Sequence, residues 1–110
     1  MIRIEIKALS VNQAFQGRRF HTKHHKQWSE NVSLLLPNKI ELPPPPYELF
    51  LKFGFSSTLA DWDNGIKCFQ DSLAKKYGFN DKLIRRGVVE TEIVKKGFEF
   101  IEFEIKHYAK

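Results

Sequence analysis

Tyr47-Glu48-Leu49-Phe50-Leu51-Lys52-Phe53-Gly54-Phe55 is the stretch on which the fold turns. Apolar residues at 47, 49, 51, 53 and 55 alternate with Glu48, Lys52 and Gly54, and only Phe50 interrupts the second phase. This is the period of a strand with one buried face, and it is the strongest such signal in the chain. After a short polar stretch, Ser56 to Ala60, the period changes. Ile66, Phe69, Leu73 and Tyr77 recur at spacings of three, four and four, which predicts a helix over 64–77 with Gly78 placed to cap it.

Working outward, Ile2, Ile4, Ile6 and Ala8 alternate with Arg3, Glu5 and Lys7, so the chain begins as a strand. Leu9 to Phe20 shows no sustained period and reads as a loop, with Gly17-Arg18-Arg19 as its exposed part. A helix is expected from Thr22, its N-cap, with Trp28, Val32, Leu35 and Leu36 on one face and Pro37 ending it. Leu42-Pro43-Pro44-Pro45-Pro46-Tyr47 should run as extended polyproline II, a stiff connector in preference to a proline-rich ligand motif. Beyond the loop Phe79-Asn80-Asp81-Lys82, strands over 88–95 and 98–107 are expected to form a hairpin about Lys95-Lys96-Gly97. In the last strand Phe98 and Phe100 share one phase and Ile101, Phe103 and Ile105 the other, which implies a bulge or a strand covered on both faces. The expected fold is α+β (mixed α/β): one small domain spanning 1–110, with a mixed β-sheet of about four strands and two main helices.

A chain of 110 residues suits one domain, and 42% hydrophobic with 28% charged residues excludes the disordered and collagen-like classes. No apolar run approaches the ~18 residues of a membrane span, and the alternating N-terminus lacks a signal-peptide core, so no membrane partner and a cytoplasmic location are expected. Cys68, the single cysteine, allows no intrachain disulfide, and no Cys or His spacing resembles a zinc site. His21, His24 and His25 read as part of a solvated basic segment. A net charge of +5 favours anionic partners without identifying one.

The acids are more informative. All four aspartates lie between Asp61 and Asp81. Asp61 and Asp63 are two apart, so an extended backbone would point both carboxylates to one side, where they can share a cation. Asp63 also suits a helix N-cap, which alone would account for it. Lys67 and Asp71 follow at four-residue steps, drifting ~40° per step around the helix, and an ordinary ion pair worth about 0.3–0.5 kcal/mol is the plain alternative for them. Asp81 suits a turn as well as a site. Gathered together, these carboxylates would repel one another unless Mg²⁺ or Mn²⁺ sat among them. Carboxylate-held Mg²⁺ in a basic protein points to phosphoryl chemistry.

Asp61-Trp62-Asp63-Asn64-Gly65-Ile66-Lys67-Cys68-Phe69-Gln70-Asp71-Ser72-Leu73, followed by Gly78-Phe79-Asn80-Asp81, resembles the D-x-D-N-x-x-K-x-x-x-D-x-L…G-x-x-D signature of the RusA family of Holliday junction resolvases. The likeness is strongest in this block. Outside it, the first strand, a loop containing Asn12 and a basic stretch leading into a helix look like the family's N-terminal half. The resemblance implies a small mixed α/β homodimer acting on branched DNA with Mg²⁺, often in a phage or prophage context. It implies Asp61, Asp63 and Asp81 as metal ligands, Lys67 as the catalytic lysine, and Asn64 and Asp71 in supporting positions. Asn80 stands where many relatives carry a second aspartate.

The expected function is therefore Mg²⁺-dependent resolution of four-way junctions by paired symmetric nicks in recombination and repair. Lys67 would stabilise charge on the reacting phosphate. Arg18, Arg19, Lys23, Lys26, Lys75, Lys76, Arg85 and Arg86 would contact DNA phosphates, although each is equally at home as a solvated surface charge. Phe20 and Trp62 could stack on unpaired bases, or be core. Two alternatives stay open: a branched-DNA-binding module without significant nuclease activity, and a ribonuclease or flap nuclease sharing the same site.

Overall fold

A computed structural model describes residues 1–9, 15–16, 20–21, 23–63 and 65–109, the pairs 15–16 and 20–21 by their backbone alone. In chain order the elements are β1 (Ile2–Ile4), β2 (Phe15–Gln16), β3 (Phe20–His21), α1 (Lys23–Leu35), β4 (Tyr47–Phe55), α2 (Ile66–Tyr77), a single 3₁₀ turn (Asp81–Leu83), β5 (Ile84–Ile93) and β6 (Phe100–His107). Four strands form a mixed sheet in the order β1-β6-β4-β5, with β4 parallel to β5 and antiparallel to β6. The architecture is α+β, as the two periodicities require.

The core lies between one face of this sheet and the two helices. Leu49, Leu51, Phe53 and Phe55 of β4 meet Trp28 and Val32 of α1 and Cys68, Phe69 and Leu73 of α2. Phe53 and Phe69 are completely buried, so truncating either to alanine would cost about 3–5 kcal/mol in transfer and cavity terms. Trp28, Val32 and Leu36 recur at four-residue steps and form the α1 contact, whereas Leu35, expected on that face, is half exposed. Gly78 ends α2 in the left-handed conformation, φ 71°, which a side chain would resist. The C-terminal turns of the helices are tied together: Lys76 Nζ donates to the Ser33 carbonyl at 2.7 Å, and the Tyr77 hydroxyl to the Pro37 carbonyl at 2.8 Å. Among the described residues no helix is long and apolar enough to cross a membrane.

Three expectations are corrected. The last two strands do not form a hairpin, because β4 lies between them. Residues 94–99 reverse the chain, with Phe98 N donating to the Lys95 carbonyl at 2.9 Å, but the connection steps over the end of β4, where Val94 N donates to the Phe55 carbonyl at 2.8 Å. The physical reason is competition for the centre of the sheet. β4 is the most apolar strand and takes an interior place, while β5, with Arg85, Arg86, Glu90 and Glu92, suits the solvated edge. Secondly, the proline run is not uniform polyproline II. It bends through Pro44–Pro46, with a cis Pro45–Pro46 bond, and is fastened to the last strand by Tyr108 N donating to the Pro46 carbonyl at 2.8 Å. Thirdly, β2 and β3 pair within the stretch read as loop.

The phase change in the last strand resolves without a bulge. Phe98 precedes β6 and is exposed, and the β6–β4 register is continuous. Phe100 is buried on the far face of the sheet. It fills the space above Gly54, where a Cβ would overlap its ring, and the Arg3 guanidinium covers it at 3.8 Å from the ring centroid.

Candidate functional site

The aspartate motif runs from the end of β4 into α2, on the side of the domain that carries the helices. Asp61, Trp62 and Asp63 are all exposed in the connecting loop, which turns instead of extending. Ile66 N donates to the Asp63 carbonyl at 3.3 Å, closing that turn. Gly65 serves as the N-cap of α2 without a side-chain cap bond, so capping does not account for the Asp63 carboxylate. Gly65 is buried, and a Cβ there would stand 2.8 Å from Ala8 Cβ and 3.2 Å from Phe53 Cε1, so glycine is what lets the chain approach the core this closely. The loop is thus clamped to the core at its exit, and the aspartates ahead of the clamp face water.

On α2, Lys67 Nζ lies 3.4 Å from Asp71 Oδ2, with both side chains substantially exposed. A pair of this kind is worth well under about 1 kcal/mol, so the lysine is readily released to another anion. Cys68 lies buried beneath them. Burial raises its thiol pKa, Asp71 raises it further, and Lys67 opposes both. Asp81 opens the 3₁₀ turn after α2, and Gln70 Nε2 donates to its Oδ2 at 3.3 Å. Asn80 has a local duty, since its Oδ1 accepts from Lys82 N at 2.9 Å and caps that turn. Gln70 was missed in the sequence. The only available signal was its place one helical turn after Lys67.

The donor set is chemically suited to a hard cation: carboxylate oxygens, exposed and close in sequence to a lysine. Among the described residues, however, no three His, Cys, Asp or Glu side chains are grouped closely enough to hold a metal ion. Asn64, Arg18 and Arg19, expected to support the site or bind DNA, lie outside the described residues, as does Asn12.

The expected phosphate-binding residues divide. Lys26, Lys75 and Lys76 line one groove of about 690 Å³ between α1 and α2, together with His25, Glu30 and Asp71. Lys23 is exposed at the start of α1. Arg86 does not join them: it pairs with Glu48 at 3.2 Å on the opposite face of the sheet, while Arg85 is exposed at the register shift near the start of β5. Asp71 is the link between the two features, pairing with Lys67 on one side and lining the groove on the other.

Among known proteins, no family model matches the chain, and no curated protein matches it.

Proposed function

We propose that the chain is a Mg²⁺-dependent, structure-selective endodeoxyribonuclease that resolves four-way DNA junctions as a homodimer. The observation that carries this reading is the groove in which lysines from two helices converge, bordered by Asp71 of the aspartate motif. A polyanionic strand laid along the groove would lead from Lys26 and Lys75 toward Lys67 and the loop of Asp61 and Asp63.

On this reading Asp61, Asp63 and Asp81, which are not grouped around a common point in this structure, would have to come together to hold Mg²⁺, which when bound would supply an acidified water and neutralise charge on a phosphodiester. Lys67 would exchange Asp71 for the phosphate oxygens as negative charge builds there. Gln70 would orient the Asp81 carboxylate by its hydrogen bond. Lys26 and Lys75 would position the backbone without reading sequence. Two symmetric nicks need two such sites, which a two-fold dimer supplies.

A second reading is favoured by the ordinary local partners of these groups, the Lys67–Asp71 ion pair at 3.4 Å and the Gln70–Asp81 hydrogen bond at 3.3 Å. In that reading the chain binds branched DNA and does not cut it. Both are tested by incubating an immobile four-way junction, a linear duplex, a flap and a matched RNA with wild type and Asp63→Asn, in Mg²⁺ or EDTA. Symmetric nicks confined to the junction and to Mg²⁺, with the variant binding but at least ~100-fold slower in cutting, support the resolvase. Tight binding by both proteins with no cleavage under any divalent ion supports the binding module. Cleavage of the flap or RNA in preference moves the substrate while keeping the site.

A further inference from the structure

Trp62 stands between the two leading aspartates, and 61% of its surface is exposed, while Leu59 in the same loop is 90% exposed. The other tryptophan shows how this fold treats an indole used for packing. Trp28 is buried, and its Nε1 donates to the Lys7 carbonyl at 2.7 Å. Trp62 has neither cover nor a hydrogen-bond partner among the described residues. Hydrogen bonds brace the described part of the loop that presents it. Leu59 N donates to Ser57 Oγ at 3.1 Å, Ala60 N to the Ser57 carbonyl at 3.4 Å, and the turn at Asp63 and the clamp at Gly65 fix its exit.

We infer that Trp62 is a stacking platform for an unpaired nucleobase. A base needs only the face of the indole, and it can stack while the carboxylates on either side keep their water or a cation. A protein surface closing over the same ring would bury Asp61 and Asp63 with it, at the high cost of desolvating unpaired charges. Bases inside a duplex have both faces covered by their neighbours, so the platform selects unpaired bases, as found in a single strand or at a crossover. It tolerates any sequence, since every base has a π-face. The inference rests on the nucleic-acid reading of the site but not on cleavage.

The test uses the full chain with Ca²⁺ replacing Mg²⁺, so that bound strands stay intact. The probes are a ten-nucleotide thymidine oligomer, its uridine counterpart and a blunt duplex. With Trp28 buried, quenching of tryptophan emission by the single strands reports Trp62. Trp62→Ala should bind both single strands about tenfold more weakly, with duplex affinity and thermal melting unchanged. Trp62→Phe should restore the affinity while abolishing the quench. Emission that stays constant at saturating oligonucleotide, or alanine and wild-type proteins of equal single-strand affinity, overturns the inference. If quenching and the alanine effect hold in a protein that cuts nothing with Mg²⁺, the nuclease reading fails alone. If junctions are cut and the alanine variant binds as wild type, only the stacking role is lost. A wild type that binds no strand overturns both.

Discussion

On the open face of the sheet, Arg86 pairs with Glu48 at 3.2 Å, Lys52 with Glu92 at 3.4 Å and Arg3 with Glu102 at 3.4 Å. On the helical face, Lys26 and Lys75 border a groove and have no ion-pair partner among the described residues. The first face is electrostatically self-satisfied, whereas the second leaves cations to be matched from outside. A net charge of +5 is compatible with either arrangement, so the pairing pattern identifies the candidate surface and the total does not.

The contrast can be broken most violently where the open face stops being a solvated surface. Gly54→Val puts carbons into the space held by the buried Phe100 ring and displaces it from Arg3. Overpacking there should cost about 1–3 kcal/mol, read as a lower melting temperature by circular dichroism. An unchanged melting curve would mean that the ring is not held above Gly54.

The helical face should respond in binding and not in stability. Lys26→Gln combined with Lys75→Gln should reduce the slope of log K against log salt for DNA by about two, with melting unaltered. Arg86→Gln should leave that slope as it is. Equal slopes for the two proteins would erase the distinction between the faces.

Beneath Lys67 and Asp71, Cys68 offers a finer measure of how dry the helical layer is. Its raised thiol pKa comes first from burial and then from Asp71, with Lys67 opposing. Mass spectrometry should find it resistant to iodoacetamide at pH 8 and reactive once urea unfolds the chain. The folded protein holds this proton to higher pH than the unfolded one, so stability falls as pH rises past the ordinary thiol range. Rapid labelling of the native chain would show that the layer opens locally.

The smallest effect expected is on stability in Arg86→Gln. Arg86 is more than half exposed, and breaking such a pair should shift stability by no more than about 0.5–1 kcal/mol. A larger loss would make the open face a structural ion-pair network instead of a neutralised surface.

What was legible in the sequence was what local periodicity encodes. Alternation at 47–55 and the three-four-four spacing at 66–77 gave β4 and α2, and Pro37 and Gly78 marked helix ends. The hairpin failed because Lys95-Lys96-Gly97 encodes a reversal of direction and says nothing of which strand lies alongside. Adjacency was settled by β4 winning an interior place, a contest among residues far apart in sequence. In the candidate site, the spacing of the aspartates was visible. The Gln70–Asp81 contact was not, because it depends on how the 3₁₀ turn folds back on α2. Nor could composition show that Trp62 would be exposed and Trp28 buried, since Trp28 is covered when α1 packs on the core and its Nε1 reaches the Lys7 carbonyl, whereas Trp62 stands in the loop ahead of the Gly65 clamp.

The insertion of β6 between β1 and β4 has a consequence for how the protein is made. The sheet receives its interior strand β6 after β1, β4 and β5 have been made, and β1, which among the described residues pairs with β6 alone, must wait for it. Until residues 100–107 emerge, β4 has an unpaired edge and the nascent chain exposes it together with the apolar face that Ile101 and Phe103 complete. A stop before Phe100 should therefore yield an insoluble fragment in place of a shortened domain, and on the ribosome the sheet should close only once residues 100–107 are available.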